Sequence, residues 1–359
     1  MAELVSQSPS ERQFSEGILD TANLQIGVIG SGYWGPKLAR NFHDIPTSNL
    51  AMISDLREER LADIKKLYPA VQTTTNYRDL LDSDLDAVVI ATPVNTHHPL
   101  AKEALLSNKH VFVEKPLAAS SIQAEELVAL AEEKNLTLMV GHTFVYNPAV
   151  QAVRNIIRSN ELGRIYYVNS TRVNLGLLQP DINVMWDLGP HDISILQYIL
   201  GEDPIRVSAR GAYYINTFRK LHEVVYMVLV FENGTIANLR LSWLDPVKQR
   251  NITVVGSNKM LVYDDIADDK VVIYDKGVEL PAYSITEEEF HASYRHGDGT
   301  VFALEWVEPL RRECNHFLDC IQTGSYPLSS GVEGLKVLKV LETAQRSLLN
   351  GGVELNVEY

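Results

Sequence analysis

The chain has 359 residues and a mass of 40.2 kDa, 45% of them hydrophobic and 22% charged. This is the composition of a water-soluble globular protein with room for one large or two ordinary domains. Its formal net charge of −14 argues against a nucleic-acid partner, which needs a basic footprint, and no apolar run reaches the roughly 20 residues that span a bilayer.

Residues 1–22 are polar and acidic, without the basic start and apolar centre of a signal peptide, and read as a flexible extension. From there strand and helix signals alternate. "LQIGVIG" (24–30), "LAMISD" (50–55), "DAVVIAT" (86–92), "HVFVEK" (110–115) and "LTLMVG" (136–141) are short apolar runs of the kind buried on both faces of a parallel sheet. Helical stretches lie between them at 33–44, 58–68, 99–107 and 122–134. Strand and helix repeated in this way predict a doubly wound α/β domain over 23–145.

Beyond residue 145 the pattern changes. A helix (148–159), a strand ending in "RVNLG" (172–176) and a helix beginning near Pro190 precede strands spread over 205–274 with turn signals "ENG" and "GSN". Helices over 304–323 and 331–350 close the chain. The expectation is a second, α+β domain over 146–359 with a mainly antiparallel sheet. Acid runs at 264–270 and 286–290 read as solvated loops. Cys314 and Cys320 provide neither a disulfide framework nor, with no partners in sight, a metal site. No metal is expected, and a reducing cytoplasm is the simplest setting.

"GVIGSGYWG" places Gly30, Gly32 and Gly35 as G-x-G-x-x-G between the first strand and first helix. The first glycine permits a tight turn, the second lets backbone approach a pyrophosphate, and the third allows helix to pack on strand. Tyr33 and Trp34 lie within this loop. Asp55, at the end of the second strand, suits the adenosine ribose hydroxyls and repels a 2′-phosphate, which favours NAD over NADP. Arg57 beside it can instead accommodate that phosphate or stack on adenine. Thr92, Pro93, Asn95, Thr96 and His97 follow the next strand at the carboxyl edge, where open sheets bind ligands. His98 reads as part of the following helix.

"EKP" (114–116) ends another strand at that edge. There Lys115 can hydrogen-bond a substrate hydroxyl and stabilise negative charge developing on oxygen, while Glu114 holds the loop or contacts the nicotinamide ribose. In "WDLGPHDISILQYILG" (186–201) Asp187 and His191 stand four apart, off the apolar stripe of Ile193, Leu196 and Leu200. The helix N-terminus disfavours an imidazolium at His191 and Asp187 favours it, a balance suited to a general base near neutral pH.

Together the G-x-G-x-x-G, E-K-P and D-x-x-x-H blocks resemble the glucose–fructose oxidoreductase / inositol dehydrogenase (Gfo/Idh/MocA) family of nicotinamide-dependent enzymes, from about Gln25 to the C-terminus. The resemblance implies a Rossmann domain followed by an open-faced sheet used for oligomerisation as a homodimer or homotetramer. It implies a catalytic lysine at Lys115, before a proline that is often cis, with acid and histidine at Asp187 and His191. "SGYWGPKLARNF", "VGHTFVYNPAV", "STRVNLG" and "SYRHGDG" are similar to the branch acting at C-3 of sugar nucleotides, such as UDP-N-acetylglucosaminuronate 3-dehydrogenases of polysaccharide pathways. By that analogy Arg172, Asn174, Tyr294 and Arg295 contact substrate or nicotinamide, a loop role serving Tyr294 and Arg295 equally well.

The expected activity is NAD-dependent oxidation of a secondary sugar hydroxyl. Either His191 takes the proton while Lys115 steadies the oxygen, or Lys115 is itself the acid–base. The alternatives are a 3-keto-sugar-nucleotide reductase, an NAD-assisted glycosidase and a non-catalytic NAD-binding sensor.

Overall fold

The computed structural model describes residues 23–279 and 292–359. The expected extension over 1–22 and the acidic run at 286–290 lie outside the described residues.

The first half forms β1 (Leu24–Ile29), α1 (Gly35–Asp44), β2 (Ser48–Ser54), α2 (Glu58–Leu67), β3 (Gln72–Thr74), α3 (Arg78–Leu81), β4 (Ala87–Ile90), α4 (His97–Leu106), β5 (His110–Glu114), α5 (Ser121–Glu133) and β6 (Leu138–Gly141). The six strands are parallel, in the order β3-β2-β1-β4-β5-β6. Val88, Val89, Val111, Phe112 and Val140 are fully buried, because helices cover both faces of such a sheet. The order turns back on itself between β1 and β4, and the carboxyl ends of these strands flank the crevice where open sheets bind ligands. β3 is an addition to the sequence reading. It is a three-residue edge strand of Gln and Thr, with no apolar run to announce it.

The second half contains α6 (Pro148–Arg158), β7 (Ile165–Leu175), α7 (Val184–Leu200), β8 (Arg206–Ala212), β9 (Val224–Val230), β10 (Ile236–Ser242), β11 (Leu244–Gly256), β12 (Met260–Asp264), β13 (Val271–Glu279), β14 (Ser293–Val301), α8 (Pro309–Thr323), α9 (Gly331–Leu349) and β15 (Leu355–Asn356). Nine described strands form one mixed sheet, β14-β13-β12-β11-β7-β10-β9-β8-β15. Only the β7–β10 pair is parallel among them. Residues of α6, α7 and α9, among them Val153, Leu196 and Leu341, share one apolar core with Val168, Leu239 and Val254 of the sheet. The opposite face exposes Tyr167, Tyr226 and Ile236.

Two helix starts differ from expectation. α7 begins at Val184 rather than near Pro190, because Asn183 caps it by accepting from the Trp186 N–H at 3.1 Å. Pro190 lies inside the helix, where its missing N–H costs one backbone hydrogen bond. α8 begins at Pro309 rather than Leu304: proline suits the first helical turn and drives the preceding residue extended, as Glu308 is at φ −54°, ψ 120°. α8 also returns to the first sheet. Leu310, Cys314, Phe317 and Leu318 join its core, and Phe317 meets Phe42 and Phe112 edge-on at 6.3 and 5.7 Å.

Candidate active site

The glycine loop shows why each of its glycines is needed. Gly30 has φ +97°, and a Cβ there would lie 2.7 Å from the Ala91 carbonyl oxygen. A Cβ on Gly35 would meet the Gly30 oxygen at 2.0 Å, so the helix could not approach the strand. At Gly32 the nearest atom to an added Cβ is Arg60 Nη1, at 3.6 Å, leaving an open backbone surface. α1 starts with no side-chain cap and no acid in its first turn. Its amide N–H groups and positive end therefore remain free for an anion. This cradle fits a dinucleotide pyrophosphate. Tyr33 is 77% exposed, with the Lys37 ammonium 3.5 Å from its ring centre and 4.4 Å from that of Trp34.

Asp55 ends β2 as a buried carboxylate that accepts from the N–H of Ser31 (2.6 Å), the N–H of Arg57 (2.9 Å) and Arg60 Nη1 (3.3 Å). Burial acts to raise its pKa, but these hydrogen bonds and the Arg60 charge outweigh it and hold the pKa below the usual carboxylate range. Arg57 acts here through its backbone, and Arg60 supplies the cation.

After β4, the Thr96 hydroxyl lies 2.7 Å from both Thr92 Oγ1 and the Pro93 carbonyl, and Pro93 and Asn95 are exposed at the mouth. His97 departs from its expected place in the cofactor cleft. It is 1% exposed, its ring nitrogens 2.8 Å from the carbonyl oxygens of Pro116 and Thr92. It thus ties the β4 loop to the loop after Lys115. His98 pairs with Glu126 on the helix surface.

Lys115 lies between the two halves of the molecule. Its Nζ donates to the Asp187 carbonyl at 2.8 Å and lies 3.6 Å from the Asp187 carboxylate. Burial is the main cause of its pKa falling below the usual lysine value, opposed by Asp187 and Glu114. The peptide bond before Pro116 is cis. Glu114 is turned inward, with Oε2 accepting the Lys115 N–H at 3.3 Å.

On α7, Asp187 falls in the first turn and His191 one turn later. The expected tuning of His191 by Asp187 is replaced by another arrangement. Asp187 faces Lys115 and accepts from Trp243 Nε1 at 3.2 Å, while Phe144 packs edge-on to His191 at 5.1 Å. Burial, then the charges of Lys115 and Arg172, drive the pKa of His191 well below 6.5. The imidazole is therefore neutral at neutral pH.

With this geometry, comparison with known proteins is decisive. The profile described as "Oxidoreductase family, NAD-binding Rossmann fold" matches residues 24–142, and the "GFO/IDH/MocA C-terminal domain" profile matches residues 150–262. The chain belongs to the GFO/IDH/MocA oxidoreductase family. Its relatives in curated collections include UDP-N-acetylglucosamine 3-dehydrogenase of Acidithiobacillus ferrooxidans, 28% identical over 88% of this chain and 94% of that protein. The structure of that enzyme superposes with TM-score 0.76 and 25% identity over 91% of this chain and 97% of the other. The scyllo-inositol 2-dehydrogenase (NAD(+)) of Bacillus subtilis is 25% identical over 93% of this chain and 97% of its own. An Agrobacterium radiobacter oxidoreductase crystallised with NAD+, L-tartaric acid and magnesium shares the fold at TM-score 0.78 and 20% identity, covering 94% and 99% of the two chains.

Within this GFO/IDH/MocA framework the remaining sequence candidates separate. Arg172 is buried in an ion pair with Asp192, Nε to Oδ2 2.5 Å, its guanidinium 4.3 Å from the centre of the Phe144 ring. It supports the site from beneath. Asn174 shares its strand face at the end of β7 and is half-buried. Tyr294 and Arg295 are placed elsewhere in this chain, on β14 at the far edge of the sheet. Arg295 there pairs with Asp275 at 2.8 Å and Glu279 at 2.5 Å, and Tyr294 is exposed. The sequence reading did not single out His142, Phe144, Trp243, Arg60 or Glu313. The carboxyl-edge rule that selects Lys115 also selects His142, which follows β6. Among the described residues no group of three or more His, Cys, Asp or Glu could hold a metal, and no helix is long and apolar enough to cross a membrane.

Proposed function

We propose that this protein is an NAD-dependent dehydrogenase of a secondary hydroxyl on a sugar, with a nucleotide-linked sugar oxidised at C-3 as its substrate. The observation that carries the reading is the position of Lys115 Nζ. It stands at the carboxyl edge of the cofactor sheet and is held by the residue that also begins the α7 catalytic segment. Bound NAD+ supplies a hydride acceptor at nicotinamide C4. Gly30, Gly32 and Gly35 admit its pyrophosphate and Asp55 its ribose. Asp55, already holding two backbone N–H groups, favours ribose hydroxyls over a 2′-phosphate.

Lys115 takes the hydroxyl proton. A histidine whose pKa is pushed far down is a poor proton acceptor, whereas burial lowers the lysine below its ordinary value and so favours the neutral amine that can accept a proton. Neutral His191 then hydrogen-bonds the same hydroxyl and orients it, and Asp187 keeps Lys115 aimed. Reduction of a keto sugar uses the same groups in reverse. The sugar-nucleotide substrate is supported by the UDP-N-acetylglucosamine 3-dehydrogenase relative, and a homodimer or homotetramer by the exposed Tyr167, Tyr226 and Ile236 on the open sheet face.

The test is NADH formation from NAD+ with UDP-N-acetylglucosamine, its uronate and inositols as probes. Lys115→Met should lower kcat by about 10²–10⁴-fold and leave NAD+ affinity unchanged. Full turnover by that variant refutes the assignment, and turnover of inositols alone refutes the nucleotide-sugar substrate.

A further inference from the structure

Four strands of the second sheet meet at one end of it. Ala212 of β8 and Ser242 of β10 both pair with Val224 of β9, and Ser242 also pairs with Val173 of β7. Trp243 follows directly, and its indole donates to the Asp187 carboxylate that faces Lys115. The β8–β9 loop (213–222) therefore stands at the mouth of the substrate cleft. The glycine loop faces the same end: Lys248, in the bulge where β11 passes Asn174, adds to the effect of Lys37 in lowering the pKa of the Tyr33 hydroxyl.

The loop reads YYINTFRKLH, with three aromatics, Arg219, Lys220, a histidine and no acid, in a chain of net charge −14. Tyr214 is 66% exposed and Phe218 94%, large side chains left in water beside a site. Yet the loop is held in place. Glu223, 1% exposed, accepts the N–H groups of Tyr214 and Asn216, both at 2.7 Å. Burying a carboxylate is costly unless charge-assisted hydrogen bonds offset it, and here both bonds go to fixing an exposed loop. The Arg219 guanidinium donates to the Pro180 carbonyl, and the Val184 N–H to the His222 carbonyl at 3.0 Å, so the loop is also tied to the start of α7. The Arg219 N–H donates to Asn216 Oδ1 at 3.3 Å, and Lys220 sits at φ +52°, a conformation that persists for such a residue where its surroundings enforce it. Among the described residues no acid forms an ion pair with Arg219 or Lys220. Asp245 pairs with Arg240 at 2.5 Å, Glu223 is occupied by the two amides, and the exposed Asp181 makes no ion pair.

We propose that the β8–β9 loop is the subsite for the nucleoside diphosphate of the substrate, Tyr214 and Phe218 stacking on the base and Arg219 and Lys220 holding the phosphates. This rests on the nucleotide-sugar dehydrogenase reading above. Every base has a face that stacks on an aromatic ring, and the paired phosphates call for cations free of acidic partners. A free sugar would need neither. The route from the loop to the reacting hydroxyl is one residue long: Glu223 accepts the Trp243 N–H through its carbonyl at 3.0 Å, and Trp243 holds Asp187. A loop fixed before binding also lowers the ordering cost when the ligand arrives. NAD+ has its own phosphate and ribose contacts at the glycine loop and Asp55.

The experiment is calorimetric titration of the full-length protein, saturated with NAD+, with UDP and dTDP. The wild type should bind both, more weakly as salt is raised. Tyr214→Ala with Phe218→Ala should weaken that binding by about fivefold to a hundredfold, the range for a base stacked on an aromatic ring, and leave its salt dependence unchanged. Arg219→Gln with Lys220→Gln should weaken it by about tenfold or more and flatten the salt dependence. If either double variant misfolds, Phe218→Ala and Lys220→Gln replace them, since both side chains project from the surface loop. NAD+ affinity should match the wild type throughout. Undiminished diphosphate binding in the folded variants, an equal loss of NAD+ binding, or a wild type that binds neither diphosphate overturns the subsite. A wild type that makes no NADH from any sugar probe, but whose UDP binding depends on the loop, overturns the dehydrogenase reading and leaves the subsite standing.

Discussion

Replacing Asp192 by Asn leaves the Arg172 guanidinium buried without a counter-charge directly beneath the site. The side chains of the pair are 6% and 2% exposed, so water and salt screen them little. The Asp192 carboxylate also accepts the Ser170 hydroxyl at 2.7 Å, and its removal disturbs both. Breaking such a buried pair from one side costs about 3–5 kcal/mol. For a domain of this size each kcal/mol lowers Tm by roughly 2–4 °C, so the variant should melt about 10 °C lower. The double variant Arg172→Met, Asp192→Leu removes both charges and should return to within about 1 kcal/mol of wild type, because buried ion pairs contribute little over apolar packing. Urea denaturation followed by circular dichroism, with scanning calorimetry for Tm, measures both. If Asp192→Asn melts with the wild type, Arg172 is not the dry, paired cation described here. If the double variant is as damaged as the single, the pair contributes more than charge balance.

The turnover profile should rise with pH on a limb that levels off below the ordinary lysine pKa, since burial favours neutral Lys115; Lys115→Arg should abolish activity along the whole profile. Glu114 has its pKa raised from 4.5 to about 7 by burial. The folded state therefore binds more protons between those values, and stability from this group falls as pH rises through that window. Glu114→Gln should flatten that fall in thermal melts at a series of pH values. Asp55→Ala should weaken NAD+ binding by about tenfold to a hundredfold through loss of charge-assisted hydrogen bonds, read by calorimetry, and narrow the preference over NADP+. Gly35→Ala, which would put a methyl 2.0 Å from the Gly30 oxygen, should lose NAD+ binding and lower Tm, and unchanged affinity would contradict the close approach of α1 to β1.

The amino-acid sequence by itself determined the first sheet apart from its β3 edge, the glycine loop and the lysine proposed as catalytic. Those signals are local: uninterrupted apolar runs where both strand faces are covered, three glycines demanded by backbone geometry, and a charged residue where such a run ends. The start of α7 was also encoded locally, in the Asn183 cap, but Pro190 seven residues later masked it. Tertiary structure alone decided which partners each charge has. Asp187 was expected to pull on His191 and instead turns to Lys115 and Trp243. Asp192 pairs with Arg172, which was expected at the substrate. His97, expected in the cleft, binds two loops together beneath it. α8, more than 160 residues beyond the last strand of the first sheet, returns to bury Phe317 there and carries Glu313 to the back of the site. A pKa depends on desolvation and on charges within a few ångströms. Neither is a property of a residue's neighbours in sequence, and here the deciding neighbours come from distant segments of the chain.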